Sequence, residues 1–276
     1  MKLLTEKTIN RIAAWVWMSA FYVFLLAPLV VVVGASFGEG KRGFINFPPT
    51  TFTLQWYLNV DKSYYEALLA SIVVAFGAVI VAVLLGIPAA LGLVRSNFPG
   101  RNLVAALFRA PVQIPAVVAG VAFLQFYYIV GDWTGAYGAG TWPGLLIAHV
   151  FIATPYVIGS VTAVLQRFNP MLEEAALILG ASRWSAFRRV TLPVILPGVY
   201  SGATYAFLVS FSDLPVALFL ASETVKTFPV VLFQAMDYDF NPSLLAVSTL
   251  IIVFSFAAML VFQRAIGLEN LLRSGR

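Results

Sequence analysis

Six stretches of this 276-residue chain are apolar for the length of a bilayer crossing, and that excludes most soluble folds. They are residues 12–37, 67–94, 103–130, 144–165, 198–220 and 243–263. A helix needs about 20 mostly apolar residues to cross the hydrocarbon core, and it satisfies its own backbone N–H and C=O groups where no water can. The runs cover the whole length and leave no room for a separate soluble domain, so 1–276 reads as a single transmembrane domain. Composition agrees: 61% of residues are hydrophobic and 11% charged, against about 25% charged in a soluble domain. The expected class is an all-α integral membrane protein with six transmembrane helices.

Two of the runs carry interruptions. The third contains Pro111 and Pro115 and is expected to be kinked or broken, with Arg109 marking its cytoplasmic mouth. The fifth contains Asp213 and Pro215, an acid and a helix breaker. The first run is flanked by Lys2, Lys7 and Arg11, as a signal peptide would be. Its length exceeds the 7–15 residues or so of a signal-peptide apolar region, so it reads as a retained span.

The net charge of +5 does not point to nucleic acid, because the basic residues sit between the apolar runs. With the N-terminus inside, the cytoplasmic side holds Lys2, Lys7, Arg11, Arg95, Arg101, Arg167, Arg183, Arg188, Arg189, Arg264, Arg273 and Arg276. The outer side holds Lys41, Arg42, Lys62 and Lys226. Leaving Arg109 aside, this excess follows the positive-inside rule and puts both termini in the cytoplasm. There is no cysteine, which removes disulfides, thiolate metal sites and cysteine nucleophiles. The single histidine, His149, lies within an apolar run and suits helix packing or a pore wall better than ligation. No zinc-protease, serine-hydrolase or phosphate-loop pattern is present, so neither a catalytic residue nor a metal site is expected.

The outer connections differ in kind. Residues 38–66 carry Phe47, Pro48, Pro49 and Trp56-Tyr57, and Trp56, Tyr64 and Tyr65 suit an interfacial belt. Residues 131–143 are glycine-rich with Trp133, Tyr137 and Trp142, and 221–242 contain a possible short re-entrant or surface helix at 230–235. No internal repeat is evident, which argues against carriers built from repeated halves.

The longest cytoplasmic connection, 166–197, is the most informative. Asn169-Pro170 is a helix-start signal, and Glu173 and Glu174 in the first turns suit the helix dipole. Met171, Leu172, Ala175, Ala176 and Leu179 share a side at helical spacing, and Gly180 is a C-cap. Ser182 caps a second short helix that sets Trp184 and Phe187 beside Arg188 and Arg189; Leu192-Pro193 is expected to stop it. The small residues Ala175, Ala176 and Gly180 admit close approach of another surface. On the residues alone, a docking surface and an ordinary amphipathic interfacial loop both remain open.

Glu174-Ala175-Ala176, then Gly180-Ala181, then Phe187, then Val190-Thr191-Leu192-Pro193 resembles the EAA motif of ABC importer permeases, with Val190 where isoleucine is usual. The resemblance implies a type I importer permease in a bacterial inner membrane, without catalytic activity of its own. It implies that Glu174, Ala175, Ala176, Gly180, Ala181, Phe187, Leu192 and Pro193 form a coupling element in a cleft of an ATPase subunit. ATP and Mg would be bound by that ATPase dimer, and no cofactor by this chain. A second permease, identical or homologous, and an extracytoplasmic solute-binding protein complete the implied set of partners.

Residues 52–57, Phe211-Ser212-Asp213 with 215–220, and Thr227-Phe228-Pro229 through Asn241-Pro242-Ser243 resemble the spermidine/putrescine permease branch. Relatives in that branch also carry opines and aminophosphonates. Asp213 is the one acid well inside a span, where a charge costs roughly 2.5–3.5 kcal/mol and usually faces a cavity. A pathway carboxylate would favour a cationic solute; a helix cap or inter-helix bond is the structural alternative. Gln113, Gln125, Tyr127 and Tyr205 are further pathway candidates, and Asp237 and Asp239 belong to the outer side. A secondary carrier or channel is the rival class, since it would need no ATPase contact.

Overall fold

A computed structural model describes residues 2–39, 46–238 and 242–256, with side chains from residue 10 onward. Lys41, Arg42, Asp239, Asn241, Arg264, Arg273, Arg276 and residues 257–263 of the sixth expected span lie outside the described residues, as do the side chains of Lys2 and Lys7. The described chain is helical throughout, and its one extended pairing is an isolated bridge between Gly38 and Phe52. The helices are α1 Lys2–Ala35, α2 Gln55–Leu58, α3 Lys62–Arg95, α4 Arg101–Gln113, α5 Ala116–Thr134 and α6 Trp142–Leu165. After these come α7 Met171–Ile178, α8 Arg183–Ala186, a π-helical turn Phe187–Thr191, α9 Leu192–Phe211, α10 Pro215–Leu220, α11 Phe228–Tyr238 and α12 Ser243–Phe256.

Among the described residues, five helices are long and apolar enough to cross a membrane: Asn10–Ala35 of α1, α3, α5, α6 and the continuous stretch Arg183–Phe211. The sixth expected segment appears as α12, whose described part is shorter. The third segment is broken, and of its two prolines only Pro115 breaks it. Pro111 sits inside α4, whereas Ile114 and Pro115 are both extended (ψ 129° at each). The Pro115 ring disfavours helical geometry at the residue before it.

The expected stop at Leu192-Pro193 is not observed. The chain runs from α8 through the π turn directly into α9, with Pro193 in the first turn of α9. The first N–H groups of a helix lack intrahelical partners, so a proline there forfeits no bond. Leu192 N–H reaches back five residues to Phe187 O, and the wider turn absorbs the change of register. The break in this stretch comes later, at Ser212–Leu214, because Pro215 has no N–H to offer the preceding turn.

The chain divides into two compact units, Met1–Tyr64 with Leu232–Arg276, and Tyr65–Val231. In the first, the described part of the connection between α1 and α3 folds back on the end of α1. Trp56 Nε1 donates to Gly38 O (2.9 Å), Ser36 Oγ meets Tyr57 Oη (2.5 Å), and the Phe37 and Tyr57 rings lie 5.3 Å apart. Tyr64 is buried while Tyr65 is half exposed.

In the second unit α3 turns small residues inward and large ones outward. On α3 the buried stripe is Ala75, Ala78, Ala82, Gly86 and Ala90, while Leu69, Val73, Phe76, Ile80 and Leu84 are exposed. Lipid tails are as apolar as leucine, so helices in a bilayer associate by close packing of small residues. A Cβ on Gly86 would lie 2.7 Å from Val157 Cγ1, and one on Gly202 would lie 2.8 Å from Val157 Cα. The α6–α9 pairing is extensive, and α10 packs on α5.

Candidate functional site

The connection between α6 and α9 is closed by its own caps. Asn169 Oδ1 accepts from Met171 N–H (3.0 Å), which starts α7. Gly180 adopts φ +89°; its N–H bonds Leu177 O and the Ala181 N–H bonds Ala176 O, both at 3.0 Å. This pair of bonds is a Schellman motif, and it needs a residue at ease in the left-handed region. Ser182 Oγ then accepts from Ser185 N–H (3.2 Å) to start α8. The Trp184 and Phe187 rings stack at 5.5 Å, 28° from parallel. Every turn of the loop is therefore specified within a few residues.

The loop presents most of its side chains outward. Glu174, Ala175, Gly180 and Pro193 are exposed, while Ala176, Ala181, Phe187 and Leu192 are partly covered. Ile178 and Leu179 are 86% and 87% exposed, and Met171, Leu172 and Trp184 are also open. Arg183, Arg188 and Arg189 rim this surface. An apolar patch with a basic rim is a docking geometry.

A cluster of side chains ties the loop to the spans, and sequence reasoning missed it. Glu173, taken above only as a helix-dipole partner, pairs in bidentate fashion with Arg95, the last residue of α3 (2.5 and 3.2 Å). Thr191 Oγ1 donates to the same carboxylate (2.6 Å), and Arg95 Nη2 also donates to Thr191 Oγ1 (3.1 Å). Partial burial raises the carboxyl's pKa, but the Thr191 hydroxyl and the Arg95 guanidinium more than offset this and leave it below 4.5. Arg95 also lies over the Phe168 ring (5.9 Å). The sequence signal was a spare acid beside the motif and an arginine ending a span, but nothing local pairs them.

A cavity of about 490 Å³ opens between α4, α6 and α9. Arg109, Val112, Gln113, Pro155, Tyr156, Gly159, Ser160 and Tyr205 line it. The Tyr156 and Tyr205 rings stack across it at 6.5 Å. The pathway candidates separate cleanly. Tyr205 and Gln113 line the cavity, together with Arg109. Gln125 is exposed on α5 away from it, and Tyr127 is buried, donating to Gly144 O (2.6 Å). Asp213 is buried and its Oδ2 accepts from Ala217 N–H (2.9 Å), so it caps α10, away from this cavity's lining. His149 is likewise fully buried, its Nδ1 against Ser210 Oγ (2.8 Å), joining α6 to α9.

Residues 82–267 match the family described as binding-protein-dependent transport system inner membrane component. The chain is similar to the putrescine transport system permease protein PotI of Escherichia coli (strain K12), 32% identical over 257 residues, covering 88% of each chain. It is also similar to the spermidine/putrescine transport system permease protein PotC of Haemophilus influenzae, 29% identical over 90% of this chain and 93% of that one. Among solved structures, a bacterial ABC transporter involved in import of the acidic polysaccharide alginate shares the fold. Its TM-score is 0.77 at 17% identity, over 94% of this chain and 97% of that chain. The MetNI methionine ABC transporter gives a TM-score of 0.55 at 16% identity, over 77% and 95%.

Proposed function

Because the chain belongs to the family of binding-protein-dependent transport system inner membrane components, we propose that it is the permease subunit of an ATP-driven importer for a polyamine or related small organic cation. The observation that carries this reading is the self-capped, outward-facing loop, with Glu174-Ala175-Ala176 and Gly180 at the docking spacing. A loop that spends its apolar side chains on solvent has its partner elsewhere. That partner is an ATPase dimer binding ATP and Mg, which this chain does not. Glu174, Ala175, Ala176, Gly180, Ala181, Phe187, Leu192 and Pro193 make the contact. A second permease copy or homologue and an extracytoplasmic binding protein complete the machine. Six crossings with both termini in the cytoplasm give the loop the side it needs.

The solute follows from the relatives named for putrescine and spermidine. The cavity supports it with the faces of Tyr156 and Tyr205 and the oxygens of Gln113 and Ser160, which suit an ammonium group. The charged lining residue is Arg109, which favours a second reading: a solute that also carries an anionic group, as an opine or aminophosphonate does. Asp213 enters neither reading as a contact unless α10 uncaps.

The test is uptake of labelled putrescine into proteoliposomes holding this permease with its ATPase and binding protein. Uptake that requires internal ATP is expected. Uptake sustained by an ion gradient without the ATPase would make the chain a secondary carrier or channel. Competition by an aminophosphonate but not by putrescine would select the second solute reading.

A further inference from the structure

We propose that Arg95, Glu173 and Thr191 form the linkage that converts displacement of the docking helix α7 into movement of α3 and α9. This rests on the reading of the chain as an ATP-driven permease.

The argument begins with how little else holds α7. Of its residues Met171–Ile178, only Glu173 and Ala176 are not exposed, and none is buried. Met171 and Ile178 point outward, where a partner would take them, and add little to its hold on the spans. The covalent tethers at either end are turns. α7 also packs on α8 and the π turn, and Glu173 adds the charged tie that reaches α3 as well as α9.

Glu173 is built to carry it. Its side chain is 19% exposed, and both of its oxygens are held by Arg95 at the end of α3. A bidentate guanidinium–carboxylate pair fixes orientation as well as distance, which a single-point contact does not. The Thr191 hydroxyl, fully buried where the π turn enters α9, bonds the same carboxylate. Arg95 bonds Thr191 in turn, so the three side chains close a ring and two spans share any pull on the helix. Residue 191 reaches this place because the π turn shifts the register ahead of α9. Without the linkage, α7 still has its caps, its docking face and its packing on α8 and the π turn, and loses its tie to α3.

The experiment measures ATP hydrolysed and putrescine imported in the same proteoliposomes for wild type, Glu173→Gln, Thr191→Val and the exchange Arg95→Glu with Glu173→Arg. Both single variants are expected to retain the ATPase subunit through purification and to hydrolyse ATP. Glu173→Gln should raise the ATP spent per solute imported by about fivefold or more, with Thr191→Val smaller. The exchange should return the ratio toward wild type. An unchanged ratio in both single variants overturns the linkage. Loss of the ATPase subunit from both also overturns it, because the cluster would then only support the fold of the loop. Absence of ATP-driven uptake in the wild-type complex would instead sink the parent reading, and is distinguished by needing no variant.

Discussion

At Gly180 the backbone is left-handed and the space where a Cβ would project is empty, so conformation and contact can be separated by substitution. Gly180→Ala carries only the cost of the left-handed backbone, about 1–2 kcal/mol, and Gly180→Asn less, since asparagine tolerates that region. Gly180→Arg meets nothing within this chain but extends into the surface offered to a partner. The expected outcome is normal membrane insertion of all three, with ATP-dependent uptake abolished in Gly180→Arg alone. Normal uptake by Gly180→Arg would remove the docking role. Asp213 divides in the same manner. Asp213→Asn keeps an acceptor for the Ala217 N–H, whereas Asp213→Ala loses the α10 cap at a cost of about 1 kcal/mol. Thermal unfolding in detergent should therefore drop for alanine and not for asparagine, and the KM for solute should stay put in Asp213→Asn. A raised KM there would restore Asp213 to the pathway.

At the scale of elements, two kinds of contact hold the second unit. The α6–α9 seam depends on backbone approach at Gly198 and Gly202, where an added Cβ would lie 2.8 Å from Val164 Cγ2 and from Val157 Cα respectively. A side chain tip can yield, but the helix backbone beside Gly202 cannot without moving α6. Gly202→Val is expected to cost about 3 kcal/mol, at the top of the overpacking range, and to show as loss of folded permease after detergent extraction. The loop, by contrast, is held by charge. The Glu173 carboxyl titrates below its ordinary 4.5, so the stabilisation it provides is present above that pH and lost as pH falls through its lowered value. Hydrogen exchange in the α7 amides should be unchanged between about pH 6 and 8, after correction for intrinsic rates, and should rise only in stronger acid. A transition near neutrality would mean that another group governs the loop.

For the whole molecule, the excess of basic residues on one side predicts which end of each span faces the cytoplasm. The chain contains no cysteine, so single substitutions report without background. Ser182→Cys in the docking loop and Ala136→Cys in the connection between α5 and α6 are both at exposed positions. An impermeant maleimide applied to right-side-out vesicles should label Ala136→Cys and spare Ser182→Cys, with the reverse in inverted vesicles. Labelling of both from one side would break the assignment made from the basic residues.

The features legible in the sequence are those governed by near neighbours. Hydropathy marks the spans because the bilayer judges each helix by its own residues. The caps at Asn169, Gly180 and Ser182 are legible for the same reason, since each bond closes within a few residues. The break at Pro115 is local too. The misread position was Pro193, where a proline in a helix's first turn and a π turn before it cost no bond. What tertiary structure alone decided are the partnerships between distant positions. Arg95 meets Glu173 across 78 residues and Thr191 across 96, and His149 meets Ser210 across 61. The cavity draws Arg109, Tyr156 and Tyr205 from three helices, and Asp213 meets the Ala217 N–H of α10. These depend on how helices rotate against one another, and that rotation is set by where small residues permit close approach, a property of pairs of surfaces and not of any one stretch of chain.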